Sequence, residues 1–210
     1  MSAEQPDKVV RHHLIDRLYH WAMAIAIFIL LGTAFLPILG IKFQWIDIHW
    51  MTGVFLTVIV FIHIIRAMVW QDWRSMLVTP SDISAIASGA RETLAGGEPA
   101  PKPAKYNGLQ KLFHLAIAIL VLEIIITGLV MMLKIDTPFW RRNPYWFTNY
   151  WWGIIYAIHG LAAMAMITMI IIHVYFAARP EEHYLTRSMF RGWISRKEYE
   201  SHHDTGRWKP

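Results

Sequence analysis

Apolar residues dominate four long stretches of the chain, at about 18–39, 49–70, 111–133 and 151–177, each carrying two charged residues at most. Each is long enough to cross roughly 30 Å of hydrocarbon, which takes about 20 helical residues. None alternates apolar with polar positions, so neither sheet nor barrel is expected. The pattern predicts an all-α integral membrane protein: one domain over 1–210, built as a four-transmembrane-helix bundle. The first connection is short and holds Pro37, Gly40 and Lys42. The second, about 71–110, is polar. Within it Pro80, Ser81 and Asp82 open a short helix running to about Leu94, with Ser81 or Asp82 as cap. Residues 95–103, rich in Gly and Pro, read as extended loop. In the third connection and just after it, Tyr145, Trp146, Phe147, Tyr150, Trp151 and Trp152 form an aromatic belt of the kind found at a lipid–water boundary. A polar tail, 178–210, follows the last span.

Composition supports the membrane reading. Only 17% of the residues are charged and 55% are hydrophobic, against about 25% charged in ordinary soluble domains. So little polar chain could not shield four such helices from water. There is no cysteine, which excludes thiolate-bound iron–sulfur clusters, Cys-type zinc sites and covalently attached c-type haem. The net charge of +5 matters through its distribution. Lys8, Arg11, Arg17, Arg74, Arg91, Lys102, Lys105, Arg179, Arg187, Arg191, Arg196, Lys197, Arg207 and Lys209 fall on one side of the bundle. Lys42, Lys134, Arg141 and Arg142 fall on the other. The positive-inside rule then makes the N- and C-termini cytoplasmic. The basic tail suits acidic lipid or an intracellular surface; nucleic acid is not the expected partner. The N-terminal 17 residues are too polar for a usual cleaved signal and are read as retained.

Six histidines lie in or at the apolar spans: His20, His49, His63, His114, His159 and His173. A lone histidine there can simply hydrogen-bond across helices, but ionisable groups in lipid mark function by default, and neutral imidazole is a good iron ligand. Spacing sharpens the choice. His159 and His173 are fourteen positions apart, as are His49 and His63. Fourteen residues bring a helix to within about 40° of four full turns and about 21 Å along its axis. That places two ligands on one face, one near each membrane surface, as two stacked haems require. By depth, His49 and His159 are the pair near the outer face and the natural ligands of an outer haem. Near the inner face four histidines compete, His20, His63, His114 and His173, and depth does not choose among them. Arg17 and Arg66 stand where a haem propionate could be met. Other features keep plain readings. Met131 and Met132 are filler, and Glu123 is either a proton-relay group or a hydrogen-bonded structural residue. Asn107 is suited to cap the third span, and His12, His13, His202 and His203 are expected to be solvated.

These residues resemble the cytochrome b (gamma) subunit of respiratory formate dehydrogenase, within the hydrogenase/formate dehydrogenase cytochrome b family. The likeness runs nearly end to end. It is carried by Ile15-Asp16-Arg17 leading to His20-Trp21, His49 with Gly53, the segment 105–111 (KYNGLQK), His159, His173-Val174-Tyr175, and the tail from Gly192-Trp193-Ile194-Ser195-Arg196 to His202-His203. The resemblance implies two haem b groups, with His49 and His159 on the outer one and His20 and His173 on the inner one; His63 is the alternative inner ligand. It implies a quinone site, for menaquinone or ubiquinone, at Asn107, Gln110 and His173. It also implies a bacterial cytoplasmic membrane location and two partners. One is an iron–sulfur subunit; the other is a catalytic subunit, with molybdenum or tungsten, that holds the substrate chemistry. No nucleotide loop or nucleophile constellation occurs in this chain. The cytochromes of hydrogenase and thiosulfate reductase are the nearest alternatives. A histidine-lined ion or proton transporter is a rival of another class, against which the chain lacks paired broken helices.

Overall fold

The computed structural model describes residues 7–95 and 101–210. Residues 96–100, most of the Gly/Pro-rich loop expected above, lie outside the described residues, as do residues 1–6. Four helices are long and apolar enough to cross a membrane: α1 (Leu14–Phe35), α2 (Trp45–Trp70), α4 (Gly108–Met131, extended by a 3-10 turn to Lys134) and α5 (Asn149–Ala178). Between the second and third of these lies α3 (Pro80–Ala95). Beyond the last come α6 (His183–Arg191) and α7 (Arg196–His202). Outward side chains such as Ile25, Phe28, Phe61, Ile126 and Ile171 are exposed, which is the surface that lipid demands.

The helix ends follow local chemistry. α1 begins four residues before the expected start because the Asp16 carboxylate accepts from the His13 N–H at 3.2 Å and supports a polar first turn. It stops at Phe35, where Pro37 and a left-handed Gly40 (φ 87°) turn the chain. For α3 neither Ser81 nor Asp82 is the cap. Pro80 takes the first helical position and Thr79 caps, while the Asp82 carboxylate reaches back to the Thr79 N–H at 2.8 Å. Burial raises the pKa of Asp82, but its bonds to Thr79 and the ammonium of Lys111 at 3.0 Å outweigh this and hold it below the usual carboxylate range. That ion pair ties α3 to the start of α4. At Gly108 a Cβ would stand 2.8 Å from the Asp82 carbonyl, so only glycine fits the junction.

The chain divides into two compact units. The first comprises Tyr19–Arg66 and Ile117–His173, which hold most of the four long helices and the two connections between them. Its core is a layer of Ala26, Leu30, Leu56, Val60, Val121 and Met166. Among the described residues, no two of these helices run backbone against backbone for any length.

The second unit comprises Met1–Leu18, Ala67–Ala116 and Val174–Pro210. It holds the only strands among the described residues: β1 (Lys8–Val10) pairs antiparallel with β2 (Trp193–Ser195), Val9 opposite Ile194. Three residues per strand leave no period for a sequence pattern to reveal. Behind them the chain turns at Gly192 (φ 87°), where a Cβ would lie 2.9 Å from the His12 carbonyl. Val9, Ile194, Tyr199 and Trp208 form a small core. Arg11, 3% exposed, sits against it, with its guanidinium 5.3 Å from the Trp208 ring centre. It donates to the Lys105 carbonyl (2.7 Å) and to His203 Nε2 (3.1 Å). His203 is not solvated as expected but 3% exposed, because its Nδ1–H donates to the Ala104 carbonyl at 2.7 Å. Burial lowers its pKa to about 4, so the ring stays neutral and its Nε2 remains an acceptor. Together with the bonds from Asp204 N–H to the Pro103 carbonyl (2.8 Å) and from Lys102 Nζ to the Glu200 carbonyl (2.9 Å), these contacts strap segment 102–105 to the C-terminal tail.

Candidate functional site

All but one of the six histidines singled out by the sequence fall in the four-helix unit; His114 lies in the other. Two pairs come together there. His49 on α2 faces His159 on α5, with ring centres 6.3 Å apart and planes at 68°. His20 on α1 faces His173 on α5, at 6.2 Å and 51°. The pairs stand at opposite ends of the apolar core. Met166, in that core, is seven residues from both His159 and His173, or about 10 Å along the axis from each.

His63, on α2, has a ring contact of its own. Its ring lies 6.0 Å from that of Tyr19, and Arg66 is 5.9 Å from the same tyrosine. Arg17 donates from its guanidinium to the Phe190 carbonyl at the end of α6.

Asn107 and Gln110 form a reciprocal cap at the start of α4. The Gln110 N–H donates to Asn107 Oδ1 at 2.8 Å, and the Asn107 N–H donates to Gln110 Oε1 at 3.1 Å. This is a capping box. It uses both side-chain oxygens and leaves the amide hydrogens of both residues to other partners.

The geometry of the histidine pairs fits a haem. A metal–imidazole bond of about 2 Å, with about 1.1 Å more from nitrogen to ring centre, puts two imidazoles on opposite sides of one ion about 6 Å apart, centre to centre. Both pairs stand at that separation. Among the described residues no three histidines or carboxylates converge, whereas a protein-only zinc site takes three or four ligands. A porphyrin supplies the equatorial donors itself and asks the protein for axial ligands alone.

Three residues of the site carried no signal in the sequence. Thr33 on α1 places its Oγ1 2.8 Å from His49 Nδ1. Thr127 on α4 places its Oγ1 2.8 Å from His159 Nδ1. Next to it, Gly128 lets the His159 ring approach: a Cβ there would stand 3.3 Å from Cε1. Isolated threonines are common in these spans. Thr57 and Thr168 bond to the carbonyls of Gly53 and Met164 in their own helices, so nothing in the sequence sets Thr33 and Thr127 apart.

Comparison with known proteins bears on this arrangement. The family model described as prokaryotic cytochrome b561 matches residues 11–192. The formate dehydrogenase cytochrome b556 subunit of Haemophilus influenzae is 25% identical over 93% of this chain and 81% of its own length. The formate dehydrogenase cytochrome b556(fdo) subunit of Escherichia coli K12 is 26% identical, over 94% of this chain and 90% of its own.

Proposed function

Because the chain belongs to the prokaryotic cytochrome b561 family, a membrane cytochrome b, we propose that it is the di-haem subunit of a formate dehydrogenase complex. On this reading it transfers electrons from an iron–sulfur partner across the membrane to quinone. Formate enters through the names of the relatives, which cover nearly the whole chain; its oxidation belongs to a separate catalytic subunit. The observation that carries two haems rather than one is the pair of ring separations, 6.3 and 6.2 Å, at opposite ends of one apolar core. His49 and His159 hold one haem b, and His20 and His173 the other. The inner pairing with His20 rather than His63 is supported by the His20 and His173 rings, which face each other at 6.2 Å.

Bound haem iron supplies one-electron transfer. The chain's own residues hold the two groups at fixed depth and fill the space between them with Ala26, Leu30, Leu56, Val60, Val121 and Met166, which keeps water out of that interval. Asn107, Gln110 and His173 are the residues that the family likeness assigns to quinone. With both termini cytoplasmic, electrons run from a positive outside toward a negative inside. That direction opposes the membrane potential by about 2.3 kcal/mol per electron per 100 mV. The redox drop to quinone must supply this energy, and conserves it in doing so.

Two measurements test the proposal. Pyridine haemochrome quantitation of the purified protein is expected to give two haem b per chain; a count of one would end the di-haem reading. The chain has no cysteine, so single cysteines report sidedness directly. Ser84→Cys, on exposed α3, is expected to be labelled from the cytoplasm, and Asn143→Cys, between α4 and α5, from outside. The reverse pattern would invert the proposed direction of electron flow.

A further inference from the structure

A threonine inside a membrane helix usually satisfies its hydroxyl on the carbonyl one turn back. Thr57 and Thr168 do so, with Oγ1 2.7 Å from the Gly53 carbonyl and 3.3 Å from the Met164 carbonyl. Thr33 and Thr127 do this and more. Thr33 Oγ1 lies 2.8 Å from the Ile29 carbonyl and 2.9 Å from that of Leu30. Thr127 Oγ1 lies 2.6 Å from the Glu123 carbonyl and 3.2 Å from that of Ile124. Each oxygen is also 2.8 Å from the Nδ1 of a histidine on the neighbouring helix, and the two histidines form one pair. The same device is thus built twice, from α1 toward α2 and from α4 toward α5.

A hydroxyl has one hydrogen. Carbonyls only accept, so that hydrogen goes to the helix carbonyl and the threonine oxygen faces the imidazole as an acceptor. Nδ1 must then carry the ring proton, and the lone pair falls on Nε2. The other pair is not held this way at His20, whose buried Nδ1 has no hydrogen-bond partner among the described residues.

We infer that Thr33 and Thr127 are the positioning residues of the His49–His159 haem: they fix the Nδ1–H tautomer, orient both rings, and raise the basicity of both ligands. The inference rests on the di-haem reading above. A hydrogen bond from Nδ1–H makes imidazole a stronger donor to the metal, which favours ferric iron and lowers the reduction potential. The threonines therefore set this haem below the potential it would have with unassisted ligands.

The test is a redox titration, followed in the haem absorbance bands, of the purified protein and of Thr33→Val, Thr127→Val, Thr33→Ser and Thr127→Ser. Valine keeps the shape and removes the acceptor; serine keeps the hydroxyl. Each valine variant is expected to shift one midpoint to more positive potential, the same haem in both, and the one that His49→Ala removes. The other midpoint stays in place, and the serine variants titrate like the wild type. Loss of that haem in a valine variant and its retention in the matching serine variant is the same result in a stronger form. Unmoved midpoints in the valine variants, a shift in the other haem, or serine variants as displaced as valine would overturn the assignment. A wild-type protein with fewer than two haems would instead refute the di-haem reading, before any variant is considered.

Discussion

Purified His159→Ala protein is expected to carry one haem b per chain where the wild type carries two, and the haem that remains is expected to keep its wild-type midpoint. His159 faces His49 with ring centres 6.3 Å apart and is held from behind by Thr127 and Gly128. Alanine removes one axial bond and opens a gap beside Thr127 and Gly128 at once. His49→Ala should give the same loss from the other side. The effect stays local because the two pairs are separated by the Met166 layer, about 10 Å from each, and sites that far apart with no shared partner behave independently. The complementary pair comes from His20→Ala and His63→Ala. The first should remove the other haem and the second should leave the count at two, because the ring that faces His173 at 6.2 Å is that of His20. A count of one in His63→Ala beside two in His20→Ala would reverse the inner assignment.

The second large effect concerns quinone. Asn107→Asp is expected to slow quinol formation roughly tenfold or more with both haems in place and still reduced by the partner. Asn107 accepts the Gln110 N–H through Oδ1, so its oxygen serves the helix and its NH₂ group is the part that can reach a quinone carbonyl. Such a bond strengthens as the carbonyl oxygen gains charge during reduction. Leaving it unmade is worth about 1–3 kcal/mol, and about 1.4 kcal/mol corresponds to a factor of ten in rate. Aspartate retains the capping oxygen and is among the best cap residues, but its carboxylate has no hydrogen to give. Asn107→Ala removes both functions and should also lower stability by about 1 kcal/mol through the lost cap. The two variants side by side separate the roles. If Asn107→Asp turns over at the wild-type rate per haem and only Asn107→Ala melts earlier, Asn107 is a cap alone and the quinone anchor lies elsewhere.

The bundle was legible because lipid imposes a single strong rule, about 20 apolar residues per crossing, and this chain obeys it four times. The His49–His159 pairing was legible as well, since depth leaves only those two near one end. Between His20 and His63 the sequence offers no such filter. Both sit at comparable depth, and what distinguishes His20 is the facing of its ring and that of His173 at 6.2 Å. The threonines were hidden for a different reason: whether a hydroxyl meets an imidazole depends on helix rotation, which hydropathy does not encode. His203 misled because a histidine in a charged tail looks solvated. Its burial comes from Arg11 and Ala104, 192 and 99 residues away. Thr79, likewise, outcompeted Ser81 and Asp82 as a cap because Pro80 fixes the first helical position one residue earlier.

The pairing of β1 with β2 also sets an order of events on the ribosome. Val9 is made well before Ile194 and must wait for it, a delay on the order of ten seconds or more at ordinary elongation rates. By then Tyr19–His173, with both histidine pairs, has already been made. Arg11 and the 102–105 segment acquire their final partners only when His203 and Trp208 emerge. The segment leading into Asn107 is thus fastened last. A chain made as far as His173 holds every member of both histidine pairs before the residues that strap segment 102–105 have been added.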